Sequence, residues 1–363
     1  MKPVTDSGHL SELKIDGYKS IGHCDLKMGC LNVLIGANGA GKSNFISFFR
    51  LIATMLDHNL QSLVGRSGGP DALLHFGRKK TDLLNAELYF GNNGFKFSLE
   101  ATMDNRLMFQ KEALWWNQSG DKGACSGHFE SQADQHRSGI ANYTLPVMKN
   151  WRVYHFHDTS DSAKVKQIHA LNIDDYLRED GSNLAAFLYR LEKHHQKQYR
   201  RIVRTIRMVA PYFGDFKLRP IVANSETIQL EWTEQGHDTP LKASALSDGT
   251  LRFILLATVL LQPEVFMPSA IIIDEPELGL HPYAINVLAD LIKSASNEHQ
   301  LIISTQSVEL VSEFDAEDLI VVDKQSGTST FKRLNEEDLS GWLEEYNLGE
   351  LWKKNLLGGR PQR

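Results

Sequence analysis

Gly36-Ala37-Asn38-Gly39-Ala40-Gly41-Lys42-Ser43 is the stretch that decides how the rest of this chain is read. It fits G-x-x-x-x-G-K-[ST] at every fixed position. It follows Leu31-Asn32-Val33-Leu34-Ile35, a compact run of the kind a parallel sheet buries on both faces. Beyond it, Phe45, Phe48, Phe49, Ile52 and Met55 recur at helical spacing, which predicts a helix over 43–56. Strand, glycine loop and helix start, in that order, make an anion nest: glycines let successive N–H groups turn inward, and the helix end adds partial positive charge. Gly36, Asn38, Gly39, Ala40, Gly41, Lys42, Ser43 and Asn44 are the expected nucleotide-binding residues. Lys42 is expected to reach the β- and γ-phosphates and to act in catalysis, with the Ser43 hydroxyl on Mg²⁺. ATP and Mg²⁺ are thus the expected cofactors. A glycine-rich turn that binds nothing is the rival reading, and the flanking strand and helix count against it.

Ile271-Ile272-Ile273-Asp274-Glu275 is an apolar strand ending in two acids. Asp274 at the strand tip is placed to complete the Mg²⁺ shell, and Glu275 to take a proton from an attacking water. Adjacent acids repel unless a cation sits between them, which favours this reading over a solvated strand end. Leu246-Ser247-Asp248-Gly249-Thr250 precedes an apolar helix at 250–261, with Ser247 as an N-cap. Alone, that is ordinary capping; its order and spacing with the other two motifs give it weight.

The intervening chain differs. Residues 84–90 and 95–99 read as strands joined by Gly91-Asn92-Asn93-Gly94, a hairpin signal. Residues 117–140 hold few apolar anchors and predict a mobile, exposed loop. A helix is expected over 183–209 and a strand over 227–232. After 243 the chain turns α/β, with strands at 270–273 and 301–304 around a helix at 282–295. The expected organisation is a phosphate-loop segment (1–83), a β-rich insert (84–182), a basic helical lobe (183–215) and a closing segment (216–363).

Composition sets outer limits. Of 363 residues, 42% are hydrophobic and 23% charged, which excludes a disordered chain, and a net charge of −6 excludes a histone-like binder. The longest apolar stretch, Phe253 to Leu261, is about half of what spans a bilayer. MKPVTDSGHL has no apolar signal core, and Cys24, Cys30 and Cys125 form neither a disulfide framework nor a CxxC zinc pair. A cytoplasmic protein without a membrane partner is expected.

Taken together, GANGAGKS (36–43), LSDGT (246–250), IIIDEPELGLHP (271–282) and LIISTQS (301–307) resemble the ABC-type ATPase head of the RecF, SMC and OLD-like branch. IDGYKSI (15–21) is similar to the opening strand of that branch. GGPDALLHFG (68–77), HFHDTSD (155–161) and LGELWKKNLLGGRP (348–361) extend the similarity toward stand-alone bacterial AAA-like ABC ATPases. The resemblance implies an α/β P-loop NTPase fold: a mixed sheet with an antiparallel β subdomain and an inserted helical lobe. It implies a homodimer, or a higher homo-oligomer, with ATP sandwiched between heads. Ser247, Asp248 and Gly249 of one copy would then face the phosphate held by the other, and residues 277–282 would cross the interface. The head is expected to use most of the chain after Glu275, so the nuclease domain that OLD-like proteins carry is not expected within these residues. A separately encoded effector, nuclease or toxin, is therefore the expected partner, as in phage defence; a RecF-like DNA-repair ATPase is the alternative.

Two positions depart from the family pattern. Asp248 stands where a glycine is common, and Gln306, the expected switch residue of the catalytic set, stands where a histidine is frequent. An amide can orient water but cannot carry a proton, so slow turnover is expected. Arg190, Lys193, Lys197, Arg200, Arg201, Arg204 and Arg207 form a local basic excess that either contacts DNA phosphates or is a solvated face. His155, His157 and Asp158 read as packing for want of a further ligand. Tyr18 is the candidate to stack on adenine. Glu336, Glu337, Asp338, Glu344, Glu345 and Glu350, with Trp342, Tyr346 and Trp352, either dock a partner or close the head's own core.

Overall fold

The computed structural model describes residues 8–136, 138–343 and 346–359; Glu344 and Glu345, and the side chain of Asp338, lie outside what is described. In chain order the elements are β1 (Glu12–Tyr18), β2 (Ile21–Lys27), β3 (Leu31–Ile35), α1 (Lys42–Leu56), α2 (Leu60–Ser67), β4 (Leu83–Phe90), β5 (Asn93–Ala101), β6 (Leu107–Trp116) and β7 (Gly120–Cys125). Next come α3 (Gly139–Lys149), β8 (Trp151–Tyr154), β9 (His169–Ala170), α4 (Leu184–His194), α5 (Gln196–Val209), β10 (Phe213–Phe216), β11 (Pro220–Ile221), β12 (Asn224–Ile228), β13 (Glu231–Glu234) and β14 (Leu241–Lys242). The chain closes with α6 (Asp248–Leu261), β15 (Ala270–Asp274), α7 (Pro282–Ala295), β16 (Gln300–Thr305), α8 (Val308–Val311), β17 (Leu319–Gln325), β18 (Thr328–Arg333), α9 (Glu336–Leu343) and α10 (Leu348–Lys353). There are two compact units: one holds the chain to Val153, Ser269–Ile272 and His299 onward, the other Tyr154–Pro268 and Ile273–Glu298.

The large sheet is mixed, in the order β7-β6-β5-β4-β1-β2-β18-β17-β3-β16-β15-β8. β3 lies between parallel β16 and β17, with Val33 opposite both Ile303 and Leu319. Every β3 residue is buried, as an apolar run covered on both faces requires. Asn32 is the polar exception: its amide donates to Gly29 O (2.8 Å) and Leu301 O (3.1 Å), so nothing polar is left unpaired there. α1 buries the predicted face, with Phe45 against Phe331 (ring centroids 5.4 Å), Phe48 stacked on Phe97 (6.5 Å) and Phe49 edge-on to Trp151 (5.2 Å).

The antiparallel arm runs β1, β4, β5, β6, β7, and its β4–β5 turn is the two-residue loop Gly91-Asn92 between paired Phe90 and Asn93. Three expectations need revision in the middle of the chain. Residues 117–140 are largely exposed over 117–124, as expected, but are not one irregular loop: they contain β7, a 3₁₀ turn at Ala133–Gln135 and the start of α3, with Ser131 and Ala133 buried. Cross-strand hydrogen bonds, not apolar periodicity, order this segment. The helix over 183–209 is two helices, broken at His195, whose φ of −135° is not helical. The strand over 227–232 is divided: β12 joins β9 and β11, while β13 joins β10 and β14. At the other end, Leu348, Leu351 and Trp352 are buried, so that part of the acidic aromatic segment closes a core, whereas Trp342 is exposed.

Burial, helped by the nearby Asp315 charge, pushes the Asp318 carboxyl up to about 6. Its ordinary unfolded value is about 3.9. The charged native form therefore costs stability at neutral pH, and the cost disappears as pH falls below about 4, where both states hold the proton. Asp318→Asn is expected to raise the unfolding temperature near pH 7 and leave it unchanged well below pH 4. A lower unfolding temperature near pH 7 would contradict this.

Candidate nucleotide site

The first unit presents the phosphate loop between Ile35 and α1. A Cβ on Gly36 would sit 2.2 Å from Val322 O, and one on Gly41, at φ 122°, would sit 2.1 Å from Ser329 Oγ. Only glycine lets the loop lie this close to β17 and β18. Ser329 Oγ donates to Ala40 O (2.5 Å) and is hydrogen-bonded to Ser20 Oγ (2.7 Å), which in turn accepts from Asn44 Nδ2 (2.7 Å). Ala37 N–H donates to Gly359 O (2.7 Å), which anchors the Gly358-Gly359 segment on the loop. Lys42 is buried, at 4% exposure, with Nζ donating to Gly36 O (2.5 Å) and Ala37 O (3.2 Å). Its ammonium is thereby kept inside the curl of the loop. Ser43, Asn38 and Gly39 are exposed. Thr305 pairs with Ile35, so Gln306 leaves β16 at the same sheet edge where Gly36 leaves β3.

Tyr18 does not present its ring to a ligand: it is 1% exposed, edge-on to Phe48, with its hydroxyl on Ser47 Oγ (2.9 Å). The neighbouring Lys19 Nζ donates to Ser47 Oγ (2.9 Å), and burial together with Arg50 lowers its pKa. Lys19 also lines a pocket of about 530 Å³ with Asp71, Leu74, Phe76 and Arg78. Phe76 is 60% exposed there, at φ 56°.

The second unit holds the acids and the capped helix. Glu275 follows β15 at φ 47°, a left-handed conformation that costs a non-glycine residue about 1 kcal/mol. Such strain fixes where the carboxylate leaves the strand. His155, His157 and Asp274 place one donor atom each within 4.8 Å of one another, a grouping that includes Asp274 and not Asp158. His155 Nε2 is buried and has no hydrogen-bond partner among the described residues. Ser247 caps α6, its Oγ accepting from Thr250 N–H (3.2 Å), and Ser247 and Asp248 are exposed. A Cβ on Gly249 would meet Gly279 O at 2.4 Å. Arg252, which sequence reasoning passed over, donates to Phe156 O (3.0 Å), His157 O (2.8 Å) and Leu278 O (2.8 Å). It ties α6 to the segment after Glu275 and to the histidines.

The basic helices divide as well. Arg190 pairs with Asp174 (3.4 Å) and Asp175 (3.6 Å), Lys193 with Glu192 (3.1 Å), and Arg207 donates to Gly214 O (2.8 Å). Lys197, Arg200, Arg201 and Arg204 lie exposed along the polar face of α5, opposite buried Tyr199, Ile202, Val203 and Ile206.

The family model described as "AAA domain, putative AbiEii toxin, Type IV TA system" matches residues 31–312, most of the chain. No curated protein matches it. Among solved structures, the chain is similar to an SMC head bound to the C-winged helix domain of ScpA, at 18% identity and TM-score 0.62, over 92% of this chain and 99% of that one. It is also similar to the SMC head domain with an extended coiled coil bound to the C-terminal domain of ScpA from Pyrococcus furiosus, at 15% identity and TM-score 0.57, over 93% and 99%. The fold is that of an SMC-like ABC-type P-loop ATPase head. Among the described residues no helix is long and apolar enough to cross a membrane.

Asparagine tolerates the left-handed region better than glutamate. Glu275→Asn is therefore expected to unfold at the same temperature as the unaltered chain or higher. A clear fall would show that the Glu275 side chain, not its backbone, stabilises this turn.

Proposed function

The chain belongs to the family of AAA domains described with the AbiEii toxin of type IV toxin–antitoxin systems, and on that premise we propose that it is an ATP-gated dimeric switch. It binds ATP with Mg²⁺, hydrolyses it slowly, and controls a separately encoded effector, nuclease or toxin, in phage defence. The observation that carries this reading is the phosphate loop itself, with glycines pressed on β17 and β18 and Lys42 buried within its curl. That loop suits a triphosphate: glycines at 36 and 41 let its backbone lie against β17 and β18 so that successive N–H groups can turn inward, and the Lys42 ammonium is already buried on the loop's own carbonyls. A hydroxyl from Ser43 and a carboxylate from Asp274 are the hard oxygen donors that suit Mg²⁺. When bound, the ion draws charge from the phosphoryl oxygens.

Each residue then has one task. The loop amides and Asn44 hold the phosphates, and Lys42 neutralises them. Glu275 takes the proton of the attacking water, and Gln306 orients that water without accepting its proton. Slow turnover follows from the second role. The pocket beside Lys19 takes the base, with exposed Phe76 as the ring it meets. In a head-to-tail dimer, Ser247, Asp248 and Gly249 bring the exposed α6 N-terminus to the other copy's nucleotide. Exposed Leu278 and Tyr283 around His281 supply apolar contact at that interface.

The stripe Lys197, Arg200, Arg201 and Arg204 supports a second reading, a RecF-like ATPase whose ligand is DNA. The two readings separate in one experiment. Tagged Glu275→Gln protein, expressed in its native host, is recovered with Mg-ATP beside a Lys42→Ala control. Recovery of a nuclease or toxin-like protein with Glu275→Gln only is the expected result. DNA or replication proteins alone would overturn the effector reading in favour of the DNA-repair one.

A further inference from the structure

In the antiparallel arm of the first unit, away from every nucleotide motif, β6 and β7 pair so that Glu112 stands opposite Cys125. Cys125 Sγ lies 3.3 Å from His128 Nε2, 4.0 Å from His136 Nε2 and 3.9 Å from Glu112 Oε2, and His128 Nε2 lies 3.8 Å from Glu112 Oε2. We propose that Glu112, Cys125, His128 and His136 bind a zinc ion. A tetrahedral zinc site with sulfur, nitrogen and oxygen ligands has neighbouring donor atoms about 3.2–3.8 Å apart. Glu112, Cys125 and His128 already place one donor atom each within 4.8 Å of one another, and His136, which reaches Cys125 Sγ at 4.0 Å, would swing inward to become the fourth ligand. One thiolate, two imidazoles and one carboxylate suit zinc and are a poor match for Mg²⁺ or Ca²⁺.

The surroundings are built for such an ion. His128 Nδ1–H donates to Glu130 O (2.8 Å), which fixes the tautomer and turns the Nε2 lone pair toward Cys125 and Glu112. The His128 ring is stacked on Phe109, centroids 4.6 Å apart. Glu112, at 1% exposure, accepts from Ser131 Oγ (2.6 Å) and Gln132 N–H (2.7 Å), as ligating carboxylates do when their orientation is held. Among the described residues no lysine or arginine pairs with this buried acid. Glu130 in turn accepts from Leu60 N–H (2.8 Å) and Gln61 N–H (3.0 Å) at the start of α2. Zinc here would staple the polar segment after β7 to the sheet and to α2.

The test uses the untagged full chain, purified without chelator, with metal content read by mass spectrometry. About one zinc per chain is expected. Cobalt exchanged into the site should give a thiolate-to-metal charge-transfer band that vanishes in Cys125→Ser and survives in Cys24→Ser and Cys30→Ser. Chelation should lower the unfolding temperature of the unaltered chain. A chain that takes up neither zinc nor cobalt, or a band that persists in Cys125→Ser, overturns the proposal. Should Cys125→Ser not fold, His136→Gln decides: weakened metal retention supports the site, and unchanged retention and spectrum overturn it. Nucleotide binding need not change in any arm, so the result stands apart from the switch reading.

Discussion

Everything in this head rests on a close approach of backbone to backbone. The phosphate loop touches β17 and β18 at Gly36 and Gly41, where no Cβ fits, and the Ser329 hydroxyl holds it from below through Ala40 O. The contact holds because β3, paired on both sides with parallel strands, cannot shift its register without stripping the buried Asn32 amide of its bonds to Gly29 O and Leu301 O. A stiff strand thus delivers a flexible sequence into one shape. Lys42 completes that shape by bonding its own loop's carbonyls, which keeps the ammonium dry and aimed inward. Anion binding is then a matter of presenting N–H groups already fixed by packing.

The second unit follows the same logic with different parts. Glu275 is held by a left-handed backbone, and Gly249 by the approach of Gly279 O. Arg252 crosslinks three backbone segments around Asp274 and the histidines. Sheet ends and helix starts in both units are fixed by backbone geometry, leaving the reactive side chains at their tips.

Local patterns carried much of this into the sequence. The apolar run 31–35, the helical spacing from Phe45 to Met55, the acids after Ile271–Ile273 and the serine cap of α6 each depend on neighbours within a few residues, and all are legible. What escaped depends on distant partners. Residues 117–140 have the composition of a loop, because their order comes from pairing with β6 and from polar groups gathered around Glu112. The break at His195 carries no glycine or proline, and its ring rests on Phe266, far along the chain (5.2 Å between centroids). Tyr18 looked like a ligand contact because its burial under α1 has no local signature. Arg252 and Gly359 act on carbonyls that no spacing rule connects to them.

In the proposed switch, nucleotide joins two copies of this chain. The direct measurement is the solution mass of Glu275→Gln, by light scattering, with and without saturating Mg-ATP, alongside Lys42→Ala. Glu275→Gln is expected to double in mass on adding Mg-ATP, and Lys42→Ala to stay unchanged. Glu275→Gln that binds ATP and keeps the mass it had without nucleotide would contradict the proposed switch.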